Sequence, residues 1–127
     1  MQTMQFMILI TTNKPKQILL LTFIGHVRPE EIANGRTDLD TLSRELSSGF
    51  TLLTDLSPLE ILDKNCLPEI VKSMELCDQR EVGLVVRVIP DPTKDIGFNI
   101  LSMFHYSRRP RFITCKSMDE AAKVLEL

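Results

Sequence analysis

Residues 50–70, "FTLLTDLSPLEILDKNCLPEI", join a short apolar run to a helix start marked by proline. "FTLLTDL" has the length and apolar density of a buried strand with Asp55 at its end. A proline-bearing turn, a second aspartate (Asp63) and the opening of a helix follow. The helix start can be placed closely, because proline has no N–H and clashes with the carbonyl four residues back, so Pro68 fits only a first turn. This predicts Asn65 as the N-cap, with Pro68 at N3. Leu67, Ile70, Val71, Met74 and Cys77 then recur at helical spacing and predict a face turned to a core. At such a corner, free backbone N–H groups and the positive end of the helix dipole converge on one polar side chain. The position suits an anion, a switchable charge or a simple cap.

Working outward, "QFMILITT" and "QILLLTFIG" are apolar runs separated by "NKPK", which predicts a hairpin of strands near residues 5–12 and 17–25. Pro29, with Glu30 and Glu31 beside it, marks a first helix carrying Ile32, Leu39, Leu42 and Leu46 until Gly49 stops it. After the helix that follows residue 65, "VGLVVRVIP" reads as a strand. A third helix is expected from Asp91 or Thr93, with Ile96, Ile100, Leu101 and Phe104 on one face. "RFITC" is a fifth strand, and Ser117 with Glu120 fits a capping box before a last helix. The order ββαβαβαβα predicts a single α/β domain over residues 1–127, a mainly parallel mixed five-stranded sheet with helices packed on it. Functional surfaces of such sheets lie outside the carboxyl ends of the parallel strands, and residues 55–65 form one such place.

Composition narrows the classes of function. The 127 residues are 43% hydrophobic and 25% charged, enough for one real core, and the net charge of −2 gives no overall pull toward nucleic acid or an anionic membrane. The N-terminal apolar runs are too short and too interrupted for a signal peptide or a membrane span, so a cytoplasmic protein is expected. Cys66, Cys77 and Cys115 are odd in number and form no C-x-x-C pair, which predicts reduced thiols without a disulfide framework or zinc site.

Chemistry-bearing residues reduce mostly to structural roles. Turn capping accounts for Asp55 and Asp63, and no third carboxylate completes a metal set. Cys66 near a helix start reads better as a small buried apolar side chain than as a reactive thiol. His26 and His105 lack any ligand spacing, and "HYSRRPR" at 105–111 reads as a solvated loop. No phosphate-binding glycine motif or nucleophile elbow is present in the sequence, so no catalytic residues, cofactor or metal are assigned. A receiver domain with Asp55 as phosphoacceptor is excluded by the ββα opening and by Thr11, Thr12 and Asn13 where an acidic pair is needed.

The ββαβαβαβα order, "FIGHV" before the first helix, D-L-S with a second aspartate eight positions after the first, and "SMDEAAKVL" at the end together resemble the STAS domain family, the sulphate-transporter and anti-sigma-factor-antagonist family. The resemblance runs over nearly the whole chain. In antagonists of that family the corner reads D-S-S-G, and its second serine is phosphorylated to control docking to a partner kinase. By that resemblance, Asp55 and Asp63 match the two aspartates, Lys64 and Asn65 stand at the serine positions and Cys66 replaces the glycine. Asn65 has no hydroxyl to phosphorylate. The resemblance therefore implies a non-enzymatic regulatory or protein-binding module without that switch, docking a kinase-like or regulatory protein partner through Ser57, Lys64, Asn65 and Glu69. It is compatible with a homodimer. Lipid-carrier-like relatives of the fold imply the alternative, a lipid or small molecule held beneath the third helix.

Overall fold

The computed structural model describes residues 6–91 and 110–127. The expected third helix beyond Asp91, with Ile96, Ile100, Leu101 and Phe104, lies outside them, as do His105, Tyr106, Arg108 and Arg109 of the loop expected after it. The described elements are β1 (Phe6–Asn13), β2 (Ile18–Val27), α1 (Pro29–Ser43), β3 (Thr51–Asp55), β4 (Leu59–Leu62), a 3₁₀ turn (Lys64–Cys66), α2 (Leu67–Gln79), β5 (Leu84–Val88), β6 (Arg111–Cys115) and α3 (Met118–Val124).

The N-terminal hairpin forms as expected. Asn13 Oδ1 accepts the Lys16 N–H at 3.2 Å, and Gln17 takes a left-handed φ of 54° to bring the chain back. β1 pairs antiparallel with β2, and β2, β3, β5 and β6 follow in parallel, with α1 between β2 and β3 and α2 between β3 and β5. Pro29 stands at N1 of α1, where the N–H of Arg28 donates to Glu31 Oε1 at 2.8 Å. The helix ends at Ser43, short of Gly49; the intervening residues turn, and Gly49 then takes a φ of +89°.

Strand alternation splits the apolar residues between two faces. Leu19, Phe23, Leu52, Val85 and Ile89 pack under α1 and α2 with Ile32, Leu39, Ile70, Met74 and Cys77. Ile18, Leu53, Val86, Val88 and Cys115 pack on the opposite face with Ala121 of α3. This is the two-faced burial expected of a parallel sheet covered by helices. Ser117 Oγ accepts the Glu120 N–H at 3.1 Å, as a capping box requires, while Glu120 Oε2 takes the Lys116 N–H at 3.0 Å instead of that of Ser117.

The sheet has six strands, one more than the five expected. The addition is β4, within the stretch read as a proline turn. Residues 51–62 run along β2 as two pieces, β3 beside Ile18–Thr22 and β4 beside Gly25–Val27. Between them the chain steps sideways: the Leu56 N–H donates to Val88 O at 3.0 Å on β5, whereas Pro58 O accepts the Gly25 N–H at 2.9 Å on β2. Opposite the step, Gly25 pairs with Leu59 and His26 with Ile61, which leaves Glu60 as the extra residue of a bulge, and Gly25 takes a φ of +69°. Pro58 therefore interrupts a strand without ending it, since the position needs a carbonyl acceptor and no N–H.

Candidate functional site

The bulge delivers residues 55–66 to the carboxyl end of β3, and three hydrogen bonds fix the corner. Asp55 Oδ1 accepts the Ser57 N–H at 2.9 Å, the local turn capping expected of that aspartate. The Asp63 N–H reaches Val27 O at 3.3 Å. Cys66, fully buried, directs its Sγ to the same carbonyl at 3.4 Å. Burial, and then the nearby Asp63 charge, push the Cys66 thiol up to about 11, and burial pushes Cys77 up to about 12. At pH 8 the Cys66 thiolate is therefore about a thousandth of the population, and alkylation at that pH should run at least about a hundredfold more slowly than for a free thiol. Timed iodoacetamide labelling of native and guanidinium-unfolded protein checks this; labelling of Cys66 at the free-thiol rate in the native state would contradict the buried placement.

Three expectations for the corner are corrected, for Asn65, Glu69 and Asp63. Asn65 is not an N-cap. It sits inside the 3₁₀ turn that precedes α2, the helix begins at Leu67 with Pro68 at N2, and neither helical start has a side-chain cap hydrogen bond. The 3₁₀ turn winds the chain into α2 and removes the extended geometry that a capping side chain needs. Asn65 is exposed. Asn65→Ala should accordingly change stability by no more than about 0.5 kcal/mol, as for a surface position, and a denaturant midpoint lowered by a full cap's worth would restore the capping role.

Glu69 is the second correction. It does not stand in the solvent with its neighbours: its side chain is 20% exposed and pairs with Arg36 of α1, whose Nη1 also donates to Glu69 O at 2.9 Å. The contact fastens α2 to α1. A second arginine contact does the same further along, where Asp40 holds Arg80 and Arg44. Hydrogen bonding from Arg80, then from Arg44, lowers the Asp40 carboxyl below the ordinary range, so this clamp is intact at neutral pH and weakens as acid protonates the carboxylate.

The structure brings Ser57 and Lys64 to the surface with Asn65, and adds residues for which the sequence carries no signal. Asp63 receives His26, the residue at the end of β2, with Nε2 and Oδ1 2.6 Å apart, so its side chain closes the β2 end against the 3₁₀ turn instead of capping locally. Ile61, in β4, is 55% exposed. It lies between the Ser57 turn and Lys64, an apolar centre with polar residues on either side. Among the described residues no group of three or more His, Cys, Asp or Glu side chains could hold a metal, and no helix is long and apolar enough to cross a membrane. A partly open cavity of about 60 Å³ lies between the sheet and α1 and α2, touching Ile8, Gly35, Met74 and Arg87. It is far smaller than the roughly 300–1,000 Å³ typical of small-molecule sites.

Superposition on solved structures places this architecture. A protein of the DUF3478 family with a SpoIIAA-like fold, from Shewanella loihica, matches with a TM-score of 0.73 at 15% identity over 98% of each chain. The fold is SpoIIAA-like. The anti-sigma factor antagonist SpoIIAA in its unphosphorylated form gives 0.61 at 13% identity, covering 95% of this chain and 97% of its own. An anti-sigma factor antagonist from Mycobacterium paratuberculosis gives 0.59 at 15% identity, over 96% and 95%. No family model and no curated protein matches the sequence. The likeness at these identities is one of fold, and the SpoIIAA-like architecture is the STAS architecture that the sequence resembles.

Proposed function

We propose that the chain is a non-catalytic binding module that docks a regulatory protein through the corner at the carboxyl end of β3, without a phosphoserine switch at Asn65. The observation that carries this reading is the exposure of Ile61 on β4, flanked along the chain by the exposed Ser57, Lys64 and Asn65. A large apolar side chain left 55% exposed on a short strand, rimmed by polar groups, has the composition of a small interface centre. The SpoIIAA-like fold supports it by analogy, since two of the matched structures are anti-sigma factor antagonists. Asn65 stands exposed at the approach to α2 with no capping duty, which frees it for contact. An amide there cannot acquire the charge of about −1.5 to −2 that a phosphoserine carries, so docking is constitutive at this position.

Affinity capture from the native host with wild type, Ile61→Glu and Lys64→Glu tests the surface. A genuine partner is retained by wild type and weakened about tenfold or more by each variant, because a misplaced charge in an interface is penalised far more than one in water. Equal retention by all three moves the interface elsewhere. Intact-mass and phosphopeptide analysis of the native protein should find no phosphate at the corner, and phosphate on Ser57 would reveal a switch carried by a different hydroxyl.

A further inference from the structure

We infer that the chain self-associates as a two-fold symmetric dimer, β1 pairing antiparallel with β1 of a second copy about an axis through Leu9. This goes beyond the docking role and uses a different edge of the sheet. β1 is the terminal strand on its side, and no described strand lies outside it. It is eight residues long, "FMILITTN", or about 26 Å, with no charge and no proline. Sheet edges left in solvent are ordinarily blunted by short length, charge, proline or a bulge. The opposite edge follows that rule, since β6 has five residues, follows Pro110 and opens on Arg111. β1 does not.

The occupant is a second copy because the strand is its own complement. Antiparallel pairing of one strand with itself requires residues of the same face to meet, which an axis through Leu9 satisfies. Ile8 then stands opposite Ile10 of the second copy on the α1 side, and Leu9 opposite its own equivalent on the other. Leu9 is 47% exposed, and in this pairing its Cβ comes within about 4.5–5.5 Å of its equivalent, covering both side chains. The paired centre carries no charge, so no like charges are brought together, and Lys14, which holds Glu45 at 2.8 Å, lies beyond the strand. β4 pairs with β2 on the side away from β1, so the dimer leaves Ile61 and Lys64 open to another partner.

Sedimentation equilibrium across the micromolar range should give twice the 14.5 kDa chain mass for wild type. Leu9→Lys sets two ammonium groups opposite each other and should raise the dissociation constant by about a hundredfold or more, with circular dichroism unchanged because Leu9 is exposed. Leu9→Cys gives an independent reading under mild oxidation, since the introduced thiols should form an intermolecular disulfide that Ser57→Cys does not. A wild type that stays monomeric, a dimer indifferent to Leu9→Lys, or a folded Leu9→Cys protein that fails to cross-link would each overturn the arrangement. Capture assays on Leu9→Lys separate this from the docking reading: the dimer is lost while the partner is kept.

Discussion

Gly83→Ala is expected to destabilise the protein by about 2–4 kcal/mol, lowering the thermal midpoint by roughly 8–15 °C. The residue connects α2 to β5 where the chain passes the Gly49 corner, and an ideal Cβ at position 83 would stand 2.7 Å from Gly49 O and 3.0 Å from its C and Cα. All three are backbone atoms, so no side chain can rotate out of the way. Relief requires the two segments to part. That motion strains the bonds that fix them: the Gly83 N–H to Phe50 O at 2.8 Å, the Arg111 N–H to Gly83 O at 3.1 Å and the Gly49 N–H to Glu81 O at 2.7 Å. Gly49→Ala supplies the contrast. An added methyl there meets nothing within 4 Å, but φ is +89°, so only backbone strain of about 1–2 kcal/mol is expected. Chemical denaturation of both variants checks the pair, and equal losses would mean that the close approach at Gly83 relaxes freely.

Glu69→Lys should destabilise by about 2–3 kcal/mol, although charge reversal on a helix surface is ordinarily almost neutral. Glu69 and Arg36 are each 20% exposed and face each other between α1 and α2, with Lys72 Nζ 3.3 Å from the second carboxylate oxygen. A lysine at 69 leaves the Arg36 guanidinium without its carboxylate, in a place only partly reached by water, and adds a like charge beside it. Glu69→Gln keeps an acceptor for the guanidinium and should lose about half as much. Lys64→Glu, at an exposed residue of the same corner, should shift stability by no more than about 0.5 kcal/mol. Urea midpoints for the three variants give the comparison. A Glu69→Lys protein as stable as wild type would put Glu69 back on the free surface and return it to the candidate docking residues.

Local chemistry made much of the architecture legible in the sequence. "QILLLTFIG" and "GLVVRV" are apolar at nearly all successive positions because both faces of a parallel strand are covered, and Ile70, Met74 and Cys77 recur every third or fourth residue because one side of α2 is. Pro29 and Pro68 bounded two helix starts within a turn, since a missing N–H is tolerated only where no helical bond is due. These are properties of a residue and its near neighbours along the chain.

What lay beyond the sequence were relations between segments far apart in it. The sideways step at Leu56–Pro58 exists because β2 is long enough to offer hydrogen bonds to β4 after β3 has ended, while β5 offers Val88 O to Leu56. Nothing inside "DLSPLEIL" carries that information, and Pro58 read alone is a turn. The cap assigned to Asn65 was displaced by a 3₁₀ turn anchored through Asp63 and Cys66 to Val27, and Glu69 was drawn inward by Arg36, thirty-three positions earlier. Ile61 became exposed by the same bulge that set Glu60 out of register. The sequence by itself thus determined the order of the described strands and helices apart from β4, and much of which side chains they bury, because periodicity and proline chemistry act within a few residues. Only the tertiary structure decided which polar and apolar groups of the corner are left exposed, because exposure at a sheet end depends on which distant backbone groups have already been paired.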